Sequence, residues 1–138
     1  MTEEHKQGDG TKNTTGLRRV AKAARYSIQG LKAGWHHEPA FREEILSGFV
    51  LLPLAYWLAQ SWLQLLLMVA ACMLVLITEL LNSAVESVVD RVSTEYHLLS
   101  GRAKDMASAA VAVSIVLVVA TYVAVALDRF APFTQLSQ

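Results

Sequence analysis

One stretch of this sequence limits its fold more than any other, because residues 45–77 contain no Asp, Glu, Lys, Arg or His. This run of 33 uncharged, mostly apolar residues is longer than the roughly 20 residues that one membrane-spanning helix needs. We therefore predict two crossings joined by a tight turn. A second uncharged run, residues 106–127, predicts a third crossing.

The composition supports a membrane protein, since 54% of the 138 residues are hydrophobic. Lys and Arg are confined almost entirely to the segments before the first crossing and between the second and third; only Arg129 follows the third. The positive-inside rule then predicts a cytoplasmic N-terminus and a C-terminus on the outer side of the membrane. No apolar signal region precedes the first run, so we expect all apolar segments to be retained.

The expected fold is an all-α membrane protein with three transmembrane helices and an N-terminal amphipathic surface helix. Residues 1–13 are polar and predict a disordered tail, and residues 14–138 predict a single domain. The surface helix is expected at about 15–35, and the transmembrane helices at about 41–59, 62–92 and 106–127. The cations of the surface helix are expected to face lipid headgroups, or in part a phosphorylated ligand.

Local signals set the turns between these helices. The residue before Pro39 is disfavoured in the α conformation, so a break is expected at residues 36–39. Gln60 and Ser61 interrupt the long apolar run and predict the outer turn, and residues 93–101 are expected to form the inner loop. Cys72 is the only cysteine, so it forms no intrachain disulfide and is expected to be a packing residue.

The second predicted crossing carries an acidic face at its inner end. Glu79, Asn82, Glu86 and Asp90 recur at helical spacing and lie on one side of a helix. Ionisable groups are costly at this depth, which indicates a functional site. Carboxylates and an amide at these positions suit Mg²⁺, and Lys104 would add a cation for phosphate, as phosphoryl transfer requires. The alternative is that Glu79 and Glu86 form structural ion pairs with basic residues nearby, namely Arg91, Arg102 or Lys104.

Other kinds of site are not supported by the sequence. No Walker loop is present, since the Gly-x-x-x-x-Gly-Lys-Ser/Thr pattern does not occur. His36, His37 and His97 lack the spacing of zinc ligands. Ser83, Ser87 and Ser108 suit close helix packing better than nucleophilic catalysis.

The segment 79–110, ELLNSAVESVVDRVSTEYHLLSGRAKDMASAA, resembles the signature of the bacterial integral-membrane diacylglycerol kinases. Shorter matches upstream at residues 14–16, 22–24, 26–27, 30–31 and 38–42 extend the resemblance over about residues 14–127. Two positions differ from the family pattern: Pro39 stands where a helix former is expected, and Arg25 where glycine is usual.

The resemblance implies a homotrimeric lipid kinase that transfers the γ-phosphate of Mg-ATP to diacylglycerol, giving phosphatidic acid. It implies Glu79 as general base, Asn82 as a positioning residue, Lys104 as a phosphate contact, and Glu38 and Glu86 as ligands of Mg²⁺. It also implies a nucleotide and lipid site lined by Arg19, Tyr26, Ser27, Asp90, Glu95, His97 and Asp105.

Two alternatives remain open at this point. Undecaprenol kinases share the Glu-x-x-Asn-x-x-x-Glu-x-x-x-Asp core, although residues 95–105 are more similar to the diacylglycerol branch. A small multidrug-type transporter would also place a carboxylate in a helix bundle, but near the bilayer centre, whereas Glu79 to Asp105 cluster at the inner boundary. That position favours chemistry on a cytosolic nucleotide. No nucleic-acid partner is expected.

Overall fold

The computed structural model describes residues 16–92, 95 and 97–130, and these form four helices with no strand. Helix α1 spans Gly16–His37, α2 Pro39–Leu58, α3 Trp62–Val92 and α4 Leu98–Phe130. The all-α prediction is therefore confirmed, with helix ends close to the expected ones except at the start of α4. The predicted tail at residues 1–13 lies outside the described residues. The chain divides into two compact units, residues 1–33 and 34–138, which are described separately below.

The described part of the first unit is the body of α1. Its basic residues and its apolar residues occupy different faces, and large apolar side chains such as Leu17, Val20 and Ile28 are exposed. An exposed apolar stripe opposite a row of cations is typical of a helix that lies in a membrane interface. The structure thus retains the amphipathic helix that the sequence predicts.

The second unit begins at the elbow between α1 and α2. Helix α1 ends at His37, Glu38 is extended with φ −109° and ψ 105°, and Pro39 opens α2. Proline suits this first helical position because its missing N–H has no partner to lose there. The predicted break at residues 36–39 is confirmed.

Helices α2, α3 and α4 pack into a bundle whose core lies along α3 and α4. Met68, Val75 and Val118 are buried there together with Cys72, which confirms the predicted packing role of the cysteine. The Cys72 Sγ lies 3.5 Å from the hydroxyl of Tyr122, which donates to the carbonyl of Leu51 at 2.8 Å.

The end of the bundle at residues 59–61, which is the outer end in the predicted topology, is held by polar contacts around this turn. The Ser61 hydroxyl accepts from the N–H of Gln64 at 3.2 Å, an N-terminal cap of α3. Gln64 donates to Asp128 at 2.7 Å, and Arg129 donates to the carbonyls of Trp57 and Leu58 at 2.6 and 3.3 Å. The last turn of α2 is thus capped from α4.

Among the described helices, α3 and α4 are long and apolar enough to cross a membrane. Helix α2 carries Arg42, Glu43 and Glu44 in its first turns, and its uninterrupted uncharged run is limited to residues 45–58. Much of the bundle surface is apolar, as for Phe49 and Val113. A surface of this kind suits contact with lipid or with other copies of the chain.

Candidate active site

The acidic face of α3 runs from the bundle core outward. Glu79 is buried, with 5% of its surface exposed; Asn82 and Glu86 are half-buried, and Asp90 is exposed. Helix α3 continues unbroken through all four, so the 3.6-residue repeat keeps them on one side. The site therefore grades from an enclosed carboxylate to one open to water.

Asn82 contacts one of these carboxylates and carries an unused acceptor. Its Nδ2 donates to Glu86 Oε1 at 3.2 Å, which orients the Glu86 carboxylate. Its Oδ1 is buried and has no hydrogen-bond partner within the described chain. Buried polar atoms are nearly always paired, so this oxygen is available to a ligand or to water.

Three further carboxylates lie within electrostatic reach of Glu79, namely Glu38, Glu44 and Glu86. Glu38 comes from the elbow at the start of α2, and this elbow packs closely on α3. Gly34 is buried there, and a Cβ at this position would lie 3.0 Å from Leu80 Cδ2. The missing side chain lets the elbow approach α3 beside Glu79. Converging negative charge in a partly enclosed site favours binding of a cation.

Lys104 supplies the facing cation from α4. Its Nζ lies 2.6 Å from Asp90 Oδ1, and Glu86 is within electrostatic reach. The hydrogen bond to Asp90 raises the pKa of the Lys104 ammonium, which precedes the uncharged run of α4 and remains protonated at neutral pH. The structure thus brings Lys104 together with the outer half of the acidic face.

Helix α4 begins earlier than the sequence predicts, at Leu98 rather than near residue 106. The His97 Nδ1 accepts from the N–H of Leu99 at 3.2 Å, and its carbonyl accepts from Gly101 at 3.0 Å. His97 therefore acts as an N-terminal cap. Residues 98–101 of the expected inner loop are therefore helical, as are Lys104 and Asp105, and residues 93, 94 and 96 lie outside the described residues.

The alternative of structural ion pairs is not supported. Within the described chain, no ion pair joins Glu79 or Glu86 to Arg91, Arg102 or Lys104. Lys104 pairs instead with Asp90.

The remaining predicted site residues are divided between the two units. Arg19, Tyr26 and Ser27 lie exposed on α1 in the first unit, and the Ser27 hydroxyl donates to the carbonyl of Ala23 at 3.1 Å. Glu95 and Asp105 are exposed in the second unit. The roles of these residues in nucleotide or lipid binding stay predictions.

Sequence reasoning missed Glu44 and the groove beside it. A cavity of about 570 Å³ lies between α2, α3 and α4, with Glu43 and Glu44 at its polar end. Its other lining residues are mainly apolar, among them Phe49, Met73 and Ile115. Glu44 is the last charged residue before the uncharged run, and that position was the available signal.

The residues present fit a magnesium–nucleotide complex better than a metal bound by protein alone. Across the described ranges, no three His, Cys, Asp or Glu side chains form a group able to hold a metal ion. Mg²⁺ commonly uses one or two carboxylates and keeps waters and substrate phosphates as its other ligands. Glu38, Glu86 and the unpaired Asn82 oxygen offer such a partial set of donors.

Comparison with known proteins gives the family. The family described as prokaryotic diacylglycerol kinase matches residues 25–126. A diacylglycerol kinase of Escherichia coli is 50% identical over 110 residues, which cover 80% of this chain and 90% of the relative. One of Pseudomonas aeruginosa is 47% identical over 116 residues, covering 84% and 94% of the two chains. One of Helicobacter pylori is 43% identical over 95 residues, covering 69% and 74%. This chain therefore belongs to the prokaryotic diacylglycerol kinase family.

Proposed function

We propose that this protein is a membrane lipid kinase that transfers the γ-phosphate of Mg-ATP to the free hydroxyl of diacylglycerol, giving phosphatidic acid and ADP. The observation that carries the proposal is the buried Glu79 carboxylate on a membrane-length helix, with Glu38 and Glu86 in electrostatic reach and an unpaired Asn82 oxygen one turn away. Membership of the family and the names of the relatives support the same reaction.

Glu79 is the group we assign as general base. It accepts the proton of the lipid hydroxyl as the oxygen attacks phosphorus, and its burial shields this transfer from bulk water. Asn82 lies on the same face, and its free Oδ1 accepts a hydrogen bond from a water in the site.

Glu38 and Glu86 would hold Mg²⁺, which when bound neutralises charge on the transferring phosphate. The Asn82 amide restrains Glu86 for this role through the 3.2 Å hydrogen bond. Lys104 is charged and near Glu86. It is therefore suited to contact phosphate oxygens when these replace Asp90 as the partner of its ammonium group.

The groove between α2, α3 and α4 supports a lipid rather than a soluble acceptor. Its apolar walls suit an acyl chain, and Glu44 at its polar end is within electrostatic reach of Glu79. A lipid lying in this groove would bring its headgroup hydroxyl to the acidic face without leaving the membrane.

The proposed topology has three crossings, α2 to α4, with α1 in the cytoplasmic interface of the inner membrane. The distribution of Lys and Arg supports a cytoplasmic N-terminus and a periplasmic C-terminus. We also propose a homotrimer with sites shared between subunits, because a partner chain would cover the costly acidic face at the lipid boundary. The exposed apolar surface of the bundle is consistent with such assembly.

The test is phosphorylation by the purified protein in lipid with labelled ATP, offering diacylglycerol or undecaprenol in separate reactions. We expect labelled phosphatidic acid and little labelled undecaprenyl phosphate, with activity dependent on Mg²⁺. Preferential labelling of undecaprenol would reassign the acceptor, and labelling of neither lipid would contradict the kinase proposal.

A further inference from the structure

A single arginine side chain connects the two helices that meet at the elbow carrying Glu38. The Nη1 of Arg42, on the first turn of α2, lies 2.9 Å from the carbonyl oxygen of Trp35 and 3.4 Å from that of His36. Both carbonyls belong to the last turn of α1, so Arg42 joins the end of one helix to the start of the next.

The need for this contact follows from Pro39. In a continuing helix the Trp35 carbonyl would accept from the N–H of residue 39, but proline has no N–H. The preceding carbonyl, that of Gly34, still accepts from Glu38 at 3.0 Å. The Trp35 carbonyl is therefore the first to lose its main-chain partner, and Arg42 replaces it.

Glu38 lies in the chain between Arg42 and the two carbonyls that Arg42 contacts. These contacts therefore restrain the backbone that carries the Glu38 carboxylate. The elbow packs on α3 where Gly34 meets Leu80, and Phe41 is 2% exposed. The Arg42 contacts add a polar restraint across the same elbow. We expect their loss to loosen the direction in which Glu38 points.

We propose that Arg42 is a positioning residue for the reaction, which holds the α1–α2 elbow so that Glu38 faces the metal–nucleotide complex. This inference rests on the proposed function, in which Glu38 is a ligand of Mg²⁺. Residues that orient metal ligands without touching the metal typically change metal affinity or activity about 10- to 100-fold when removed.

The experiment measures binding of Mn²⁺, as a paramagnetic probe for Mg²⁺, to the full chain with a non-hydrolysable ATP analogue. We expect Arg42→Gln to weaken Mn²⁺ binding about 10- to 100-fold and to raise the Mg²⁺ concentration for half-maximal turnover. Because one nitrogen, Nη1, makes both contacts, Arg42→Lys keeps a charged donor on a longer side chain than that of Gln, and should bind Mn²⁺ more tightly than Arg42→Gln.

The matched control is Arg129→Gln at the outer end. Arg129 also donates through Nη1 to two successive carbonyls at a helix C-terminus, those of Trp57 and Leu58. We expect its loss to lower the melting temperature and leave Mn²⁺ affinity unchanged. Equal weakening of Mn²⁺ binding by both arginine variants would overturn the proposal, since the effect would then be general loss of stability.

A second variant tests the cause directly. Pro39→Ala restores an N–H at position 39, so removing Arg42 should cost less Mn²⁺ affinity in that background, and the two changes should be non-additive. Wild-type Mn²⁺ affinity in Arg42→Gln, or full additivity with Pro39→Ala, would refute the role of Arg42. If the unmodified protein binds Mn²⁺ and nucleotide but phosphorylates neither lipid, the proposed function fails instead.

Discussion

Replacing Glu79 with Gln should separate catalysis from stability. The amide has nearly the volume of the carboxylate, so the buried position stays filled and no cavity forms. The substitution also removes one negative charge from a site where Glu38, Glu44 and Glu86 lie within electrostatic reach. We therefore expect a melting temperature equal to or above that of the unmodified protein.

Turnover by Glu79→Gln should fall, although its melting temperature does not. A positioned general base contributes about 10²- to 10⁴-fold to a rate, which corresponds to about 3–5 kcal/mol of activation free energy at 1.36 kcal/mol per tenfold change. The Mn²⁺–nucleotide affinity should change little, because the proton acceptor acts in the transition state. The assays are labelled-phosphate transfer to diacylglycerol, Mn²⁺ binding with the ATP analogue, and thermal unfolding in one detergent.

Asp90→Asn is the comparison variant, since Asp90 lies on the same face but is exposed and holds Lys104. It loses a charge of the same sign without losing the assigned base, so its turnover should fall much less than that of Glu79→Gln. A Glu79→Gln variant that is less stable yet turns over at a near-normal rate would refute the reasoning, and would make Glu79 a structural partner.

Three further expectations follow from the proposed site and topology. Glu86→Gln should raise the Mg²⁺ concentration needed for half-maximal turnover, and an unchanged Mg²⁺ titration would remove Glu86 from the metal site. Inactive Glu79→Ala and Glu38→Ala chains, unfolded and refolded together, should regain the activity expected for the fraction of mixed trimers with one intact site. Background activity despite subunit exchange shown by tagged pull-down would contradict shared sites. A protease tag near Glu95 should resist cleavage from outside intact cells while one after the C-terminal residue is cut, and external cleavage near Glu95 would contradict three crossings.

The approximate positions of the helices could be predicted from the sequence, because the hydropathy and the distribution of charges along the chain indicate them. The break before Pro39 and the outer turn at Gln60 and Ser61 lie where local backbone preference and polarity indicate them. The predicted start of α4 was wrong, because an uncharged run marks the apolar part of a helix and not its first turns. Capping by His97 extends α4 to include charged residues.

From residue spacing alone, the site could be predicted only along a single helix. Helical spacing is enough to align Glu79, Asn82 and Glu86, but it contains no information on which neighbour packs against them. The approach of Glu44 and the contacts of Arg42 depend on how α2 packs and on the elbow, which become visible only in three dimensions. The unpaired oxygen of Asn82 likewise depends on burial by other helices.

The length of α4 bears on how this protein would respond to the membrane itself. Its 33 residues extend about 50 Å, against a hydrocarbon thickness of about 30 Å, so a substantial part must lie beyond the hydrocarbon. The contacts of Arg129 join the C-terminal end of α4 to α2, whereas Lys104, near the other end, is held only by its pairing with the exposed Asp90. In a bilayer of different thickness, hydrophobic mismatch would therefore be accommodated by tilting or by a shift in depth at the Lys104 end. The height of Lys104, which we propose as the phosphate contact, would thus depend on the surrounding acyl chains.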